Sequence, residues 1–252
     1  MNNYTKYLDR PMTSISDETI QHFNSSEINE NHILDINQHH KIADTGYLPD
    51  EVGYATLSDG TAYMANHIVM PDVTIDMIIW WFVWHGLDPE RYCLWNKEEH
   101  FDLVIDHSAR ERLTDMDVPL AERIYNVQHI VNENVGLGPQ NIRIHFEDPL
   151  NTGFSEEQVA NRQNYIAIAN GDGAVMQHFF RTLETGGIEL RTRFWLGWQI
   201  DTSTQTPYKL KNIANIPKAV PRMLGQHNIR EMTHLASILP ELYCEFGHQD
   251  LI

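Results

Sequence analysis

The longest helical period in the chain runs from Val220 to Phe246, in the stretch VPRMLGQHNIREMTHLASILPELYCEF. Met223, Leu224, Ile229, Met232, Leu235, Ile238, Leu239 and Leu242 recur every three or four positions, the spacing of a helix with one buried stripe. Much of what precedes it has a period of two. From Arg123, Tyr125, Val127, His129, Val131, Glu133 and Val135 alternate with Asn126, Gln128, Ile130, Asn132 and Asn134, which predicts a strand with one mostly apolar face. Further strands are expected over 141–146, 164–169, 174–182 and 188–200. In the third of these, Ala174, Met176, His178 and Phe180 share a face; in the fourth, Arg191 and Arg193 lie opposite the apolar face. Runs of strands beside segregated helices make this an α+β chain, a curved antiparallel sheet around a long C-terminal helix. A cavity between sheet and helix suits a hydrophobic ligand.

Upstream, Val52–Leu57 and Thr61–Met70 read as a hairpin turned by Asp59-Gly60. Thr74 caps a helix over IDMIIWWFVW, so apolar all round that it must be deeply packed. Asp88-Pro89-Glu90 restarts a helix, and His100 follows it. The connector 106–122 has helical propensity without a core stripe, and 202–217 reads as a loop. Residues 1–49 form a polar extension, with a short helix over 15–23 capped by Ser16 or Asp17. Within it, 32–43 reads as loop, with His39 and His40 solvated. Residues 50–252 are expected to form the catalytic domain.

A formal charge of −17 repels phosphate backbones and anionic membranes, which excludes nucleic-acid and lipid-surface partners and leaves neutral or phenolic molecules. Two cysteines, Cys93 and Cys244, make no disulfide framework, so a reducing cytoplasm fits. The start of the chain, MNNYTKYLDRPMTS, has no secretory or transit character, and the longest apolar run, 77–84, is too short to span a bilayer.

His227 and Glu231 are spaced i,i+4 and stand one above the other on the final helix. They make half of a four-ligand Zn²⁺ or Fe²⁺ site, or a surface pair. Glu133 lies on an apolar strand face, where a carboxylate needs a partner or a metal unless the strand end reaches solvent near Gly136. His100 completes two imidazoles and two carboxylates. No CxxC, HExxH, Walker A, G-x-G-x-x-G or nucleophile elbow is present.

The segments WWFVWHGLDPERYCLWNKEEHF (80–101), RIYNVQHIVNENVG (123–136), RTRFWLGW (191–198) and HNIREMTHLASILPELY (227–243) resemble the 2,4-diacetylphloroglucinol hydrolase family, which includes phloretin hydrolases. The likeness covers most of residues 50–246. It implies a Bet v 1-like helix-grip domain, a homodimer, and a zinc-dependent hydrolase that cuts the bond between an aromatic ring and an acyl group of an acylphloroglucinol. The implied ligands are His100, Glu133, His227 and Glu231, with His85 the competitor for the place of His100. Tyr92 matches a tyrosine that holds a phenolic hydroxyl, and His178 a pocket histidine; Phe194 stands where a second pocket tyrosine is expected. Tyr92, His178 and His129 are the candidate acids and bases, His129 alternatively backing the metal ligands. The competing expectation is a non-catalytic helix-grip carrier of phenolic or lipid ligands.

Overall fold

The computed structural model describes residues 4–211 and 215–248. Among the described residues, eight strands form one antiparallel sheet: β1 (Gly53–Thr56), β2 (Ala62–Met70), β3 (His100–Val104), β4 (Gln128–Glu133), β5 (Gln140–Glu147), β6 (Asn164–Gly171), β7 (Ala174–Thr182) and β8 (Ile188–Leu196). Their spatial order is β1-β2-β8-β7-β6-β5-β4-β3. A small hairpin of β9 (Trp198–Asp201) and β10 (Thr206–Lys209) hangs from its end. The helices are α1 (Thr5–Leu8), α2 (Asp17–Ser25), α3 (Ile75–Trp84), α4 (Pro89–Trp95), α5 (His107–Thr114), α6 (Glu156–Ala160) and α7 (Ala219–Phe246). The final helix lies against the inner face of the sheet, which is the helix-grip arrangement.

Local chemistry sets the boundaries. The Thr74 hydroxyl accepts from Met77 N at 3.3 Å to start α3, and Asp88 accepts from Glu90 N at 2.9 Å to start α4. Ser16 caps α2, accepting from Thr19 N at 3.1 Å. Inside the grip, Met232, Leu235, Ile238, Leu239 and Leu242 of α7 share one core with Trp80, Trp81, Phe82 and Trp84 of α3. Each such side chain contributes about 1.5–3 kcal/mol when fully buried.

The sheet is covered on its other face as well. Ile28, Leu34, Ile36 and Ile42 pack there against Phe179, Val175 and Trp195. Arg191 and Arg193 are fully buried on that side and share the carboxylate of Glu51, with Arg191 Nη2 at 2.6 Å from Glu51 Oε1. Tertiary packing overrides local reading at several points. Residues 32–43 are largely short 3-10 turns, at Glu30–His32 and Ile36–Ala43, rather than loop, and His39 is buried rather than solvated. The strand expected over 188–200 breaks at Gly197, whose φ of 93° lies in the left-handed region. The expected loop 202–217 contains β10. Most consequential, the residue that follows the helix at 89–95, His100, opens a strand, β3.

Candidate metal centre

Three elements bring His100, Glu133 and His227 together, and Glu231 stands beside the two histidines. β3 pairs with β4 so that His100 lies directly opposite Glu133, with a bulge between His100 and Asp102 that re-aims the strand end. Helix α7 supplies His227 and Glu231 from successive turns. All four are buried. Ligand atoms of His100, Glu133 and His227 lie within 4.8 Å of one another. His100 Nε2 is 3.4 Å from His227 Nε2, 3.5 Å from Glu231 Oε2 and 3.7 Å from Glu133 Oε2. Glu231 Oε2 is also 3.7 Å from His227 Nε2. Donors about 2.0–2.1 Å from a tetrahedral ion stand about 3.3–3.4 Å apart, so the set is slightly wider than a closed zinc shell.

The outer atoms of the two imidazoles decide which nitrogen faces inward. His227 Nδ1 is 2.8 Å from Glu99 Oε2, and His100 Nδ1 is 3.3 Å from the Tyr92 carbonyl oxygen. Both partners only accept, so both Nδ1 atoms carry hydrogen when the rings are neutral. Two Nε2 lone pairs then face each other beside two carboxylates, and that geometry asks for a cation. Glu231 Oε1 accepts from Asn228 Nδ2 at 3.0 Å, and Asn228 Oδ1 accepts from Asn66 Nδ2 at 3.0 Å, so Oε2 is the oxygen turned to the imidazoles. The residues therefore fit a divalent metal. With no cation, the cluster must hold a proton. Burial lowers the His227 pKa, but Glu231 and the hydrogen bond to Glu99 outweigh it and bring it up to about 9. Burial raises Glu231 to about 7. Burial, then His227, pushes His100 well below the usual histidine range.

Glu133, His227 and Glu231 edge a cavity of about 340 Å³ between sheet and α7, with His100 behind them. Its walls include Phe82, Trp95, Ile142, Ile144, Met176 and Phe194. Tyr92 lines it too, and its hydroxyl donates to Glu133 Oε2. The Tyr92 ring stacks on His100, with centroids 4.2 Å apart and planes 4° from parallel. Burial and then Glu133 hold its hydroxyl well above the ordinary tyrosine pKa, so it stays protonated. His178 lines the same cavity, with Nδ1 2.8 Å from Thr192 Oγ1, and burial lowers its pKa to about 3. His129 also lines the cavity, but its Nε2 is buried without a hydrogen-bond partner among the described residues, against Gly86. His85 lines the cavity as well, its ring centroid 6.1 Å from that of Tyr92, but its Nδ1 is taken up 2.7 Å from the Trp81 carbonyl and it is not among the clustered donors.

The model of the DAPG hydrolase PhiG domain matches residues 33–244. The chain belongs to the DAPG hydrolase family. Within the family, it is 30% identical over 251 residues to phloretin hydrolase of Eubacterium ramulus, covering 96% of this chain and 90% of that one. It is 29% identical over 232 residues to the 2,4-diacetylphloroglucinol hydrolase of a Pseudomonas species, covering 85% and 77%. Among solved structures, Ara h 8.0201 aligns with a TM-score of 0.44 at 7% identity, over 72% of this chain and 99% of its own.

Reading the sequence left out Glu99, Asn228 and Asn66. Glu99 lies in the charged run Lys97-Glu98-Glu99-His100, where nothing local separates it from Glu98. Asn228 adjoins His227, and its distance of three residues from Glu231 was the available signal.

Proposed function

We propose that the chain is a zinc-dependent hydrolase that cleaves the aryl–acyl C–C bond of acylphloroglucinols, of the 2,4-diacetylphloroglucinol or phloretin type. Its metal ligands are His100, Glu133, His227 and Glu231. The cluster of His100, Glu133 and His227, with Glu231 within 3.7 Å of both imidazoles at the edge of an apolar cavity, is the observation that carries the reading, and the family's named hydrolases support it. Zinc bound there supplies a Lewis acid for the acyl oxygen and a water activated near neutral pH.

The reaction consumes one water. Its hydroxyl joins the acyl carbon, the C–C bond breaks with its electron pair passing into the ring, and the ring carbon takes the proton. A carboxylic acid and a phloroglucinol leave. Tyr92, held protonated, donates to Glu133 and braces it, and its stacked ring holds His100 flat. His178 is neutral at pH 7, and with Nδ1 engaged by Thr192 its Nε2 is the nitrogen left to hydrogen-bond a phenolic hydroxyl of the ring. His129, with Nε2 walled off by Gly86, supports the pocket from behind. Phe82, Trp95 and Phe146 keep bulk water from the departing ring.

The same reading includes a homodimer in a reducing cytoplasm. Cys93 and Cys244 are free thiols. Val104 and Ile130 are register partners at the sheet edge and both are exposed, beside exposed Phe101, which supports a second copy on that face. Among the described residues no helix is long and apolar enough to cross a membrane.

Incubating the purified chain with phloretin and with 2,4-diacetylphloroglucinol, and following acid and phloroglucinol products by chromatography, tests the activity. Products that vanish on chelation and return with zinc are expected. Tight binding of both compounds, no product and no response to EDTA would leave a carrier instead.

A further inference from the structure

We propose that Glu99 is a positioning residue for the metal centre: it holds the outer nitrogen of His227 and so sets how tightly the chain retains its cation. The inference rests on the metal-centre reading above and adds a residue to it.

Glu99 and His100 are consecutive, and both backbone N–H groups donate to the Asn96 carbonyl, at 3.0 and 2.7 Å. That tight turn after α4 sends the two side chains to the two nitrogens of one imidazole. His100 faces His227 Nε2 at 3.4 Å, while Glu99 takes His227 Nδ1 at 2.8 Å. The Glu99 carboxylate is itself fixed. Asn96 Nδ2 donates to it at 2.9 Å, Arg230 Nε at 3.2 Å, and Arg230 Nη2 grips its other oxygen. Arg230 stands three residues after His227, so α7 presents both groups on one side. The Glu99 carbonyl accepts from Asn134 N at 2.8 Å, one residue beyond Glu133. Glu99 therefore ties together the elements that carry all four donors: the start of β3, the end of β4, and α7.

The physical consequence is directional. A carboxylate can only accept, so it keeps hydrogen on Nδ1, leaves the Nε2 lone pair pointing inward, and makes that nitrogen a stronger donor to a metal. His100 has only a carbonyl at 3.3 Å on its outer side, a longer and uncharged contact. Of the two imidazoles, His227 is the one whose aim and basicity a single distant residue controls.

The test is zinc affinity of the full chain, measured by competition with a chromophoric chelator, for the wild type, Glu99→Ala and Glu99→Gln. Glu99→Ala is expected to bind zinc about 10–100-fold more weakly. Glu99→Gln retains an acceptor oxygen without the charge and is expected to fall between the two. Melting of the metal-free proteins separates this from a structural role, which would lower the melting temperature and leave zinc affinity unchanged. If Glu99→Ala does not fold, Glu99→Gln decides. A wild type that binds zinc while either folded variant binds it equally well overturns the role of Glu99 and leaves the metal centre standing. A wild type that takes up no zinc removes the metal centre, and the role of Glu99 with it.

Discussion

Tyr92 touches two of the four donors: its hydroxyl serves Glu133, and its ring and carbonyl serve His100. Tyr92→Phe keeps the ring and the carbonyl and removes only the hydroxyl. It is therefore expected to retain metal while turnover falls by about 10²-fold, read by steady-state kinetics beside elemental analysis of the same sample. His178 makes the complementary case. Its Thr192 contact orients it and burial keeps it neutral, so His178→Phe is expected to keep metal and fold but lose about 10²–10⁴-fold in turnover. Both candidate roles were visible in the sequence only through the resemblance. The i,i+4 pair on α7 was legible directly, because helical spacing is local. The place of His100 was not, because β3 is only five residues long and its pairing with β4 is a long-range event.

Helix α7 has to meet the sheet, α3 and α2 along 28 residues. Gly225 marks where α2 crosses it: a Cβ added there would stand 1.9 Å from Phe23 Cζ. Phe23 is fully buried against Tyr54, Met64 and Ile229, so the ring has nowhere to withdraw. Gly225→Ala is expected to destabilise the fold by about 1–3 kcal/mol, measured by denaturant unfolding, and the loss should shrink in a Phe23→Ala background. The alternation of β4 and the hydrophobic stripe of α7 could be read from the chain because each is a short-period pattern. What lies over the outer sheet face could not. Residues 28–42 carry apolar groups at irregular spacing, and most of their partners, from Phe154 to Ile200, sit more than a hundred residues away.

At the scale of the molecule, several histidines are enclosed uncharged. Burial lowers His39 and His85 to about 4 and His178 to about 3, against about 6.5 for an unfolded histidine. The unfolded chain then binds more protons than the folded one between those values. The stabilisation is complete above about pH 6.5 and is lost as pH falls towards 4, on the order of 2 kcal/mol for each histidine at pH 5. Urea midpoints at pH 7.5 and 5.0 should show a marked drop, and His39→Gln should flatten it. The exposed strip at Phe101, Val104 and Ile130 belongs to the same scale. The wild type is expected to scatter light as a dimer and Val104→Lys as a folded monomer; a monomeric wild type would remove the proposed dimer.

The most direct measurement is metal content with function, by atomic emission and product assay, on protein purified without chelator. About one zinc per chain is expected in the wild type, with both metal and C–C cleavage lost together in Glu231→Ala and His227→Ala. Wild-type protein that cleaves acylphloroglucinols with metal near zero, or variants that keep full metal and full rate, would contradict a cation held by these four side chains.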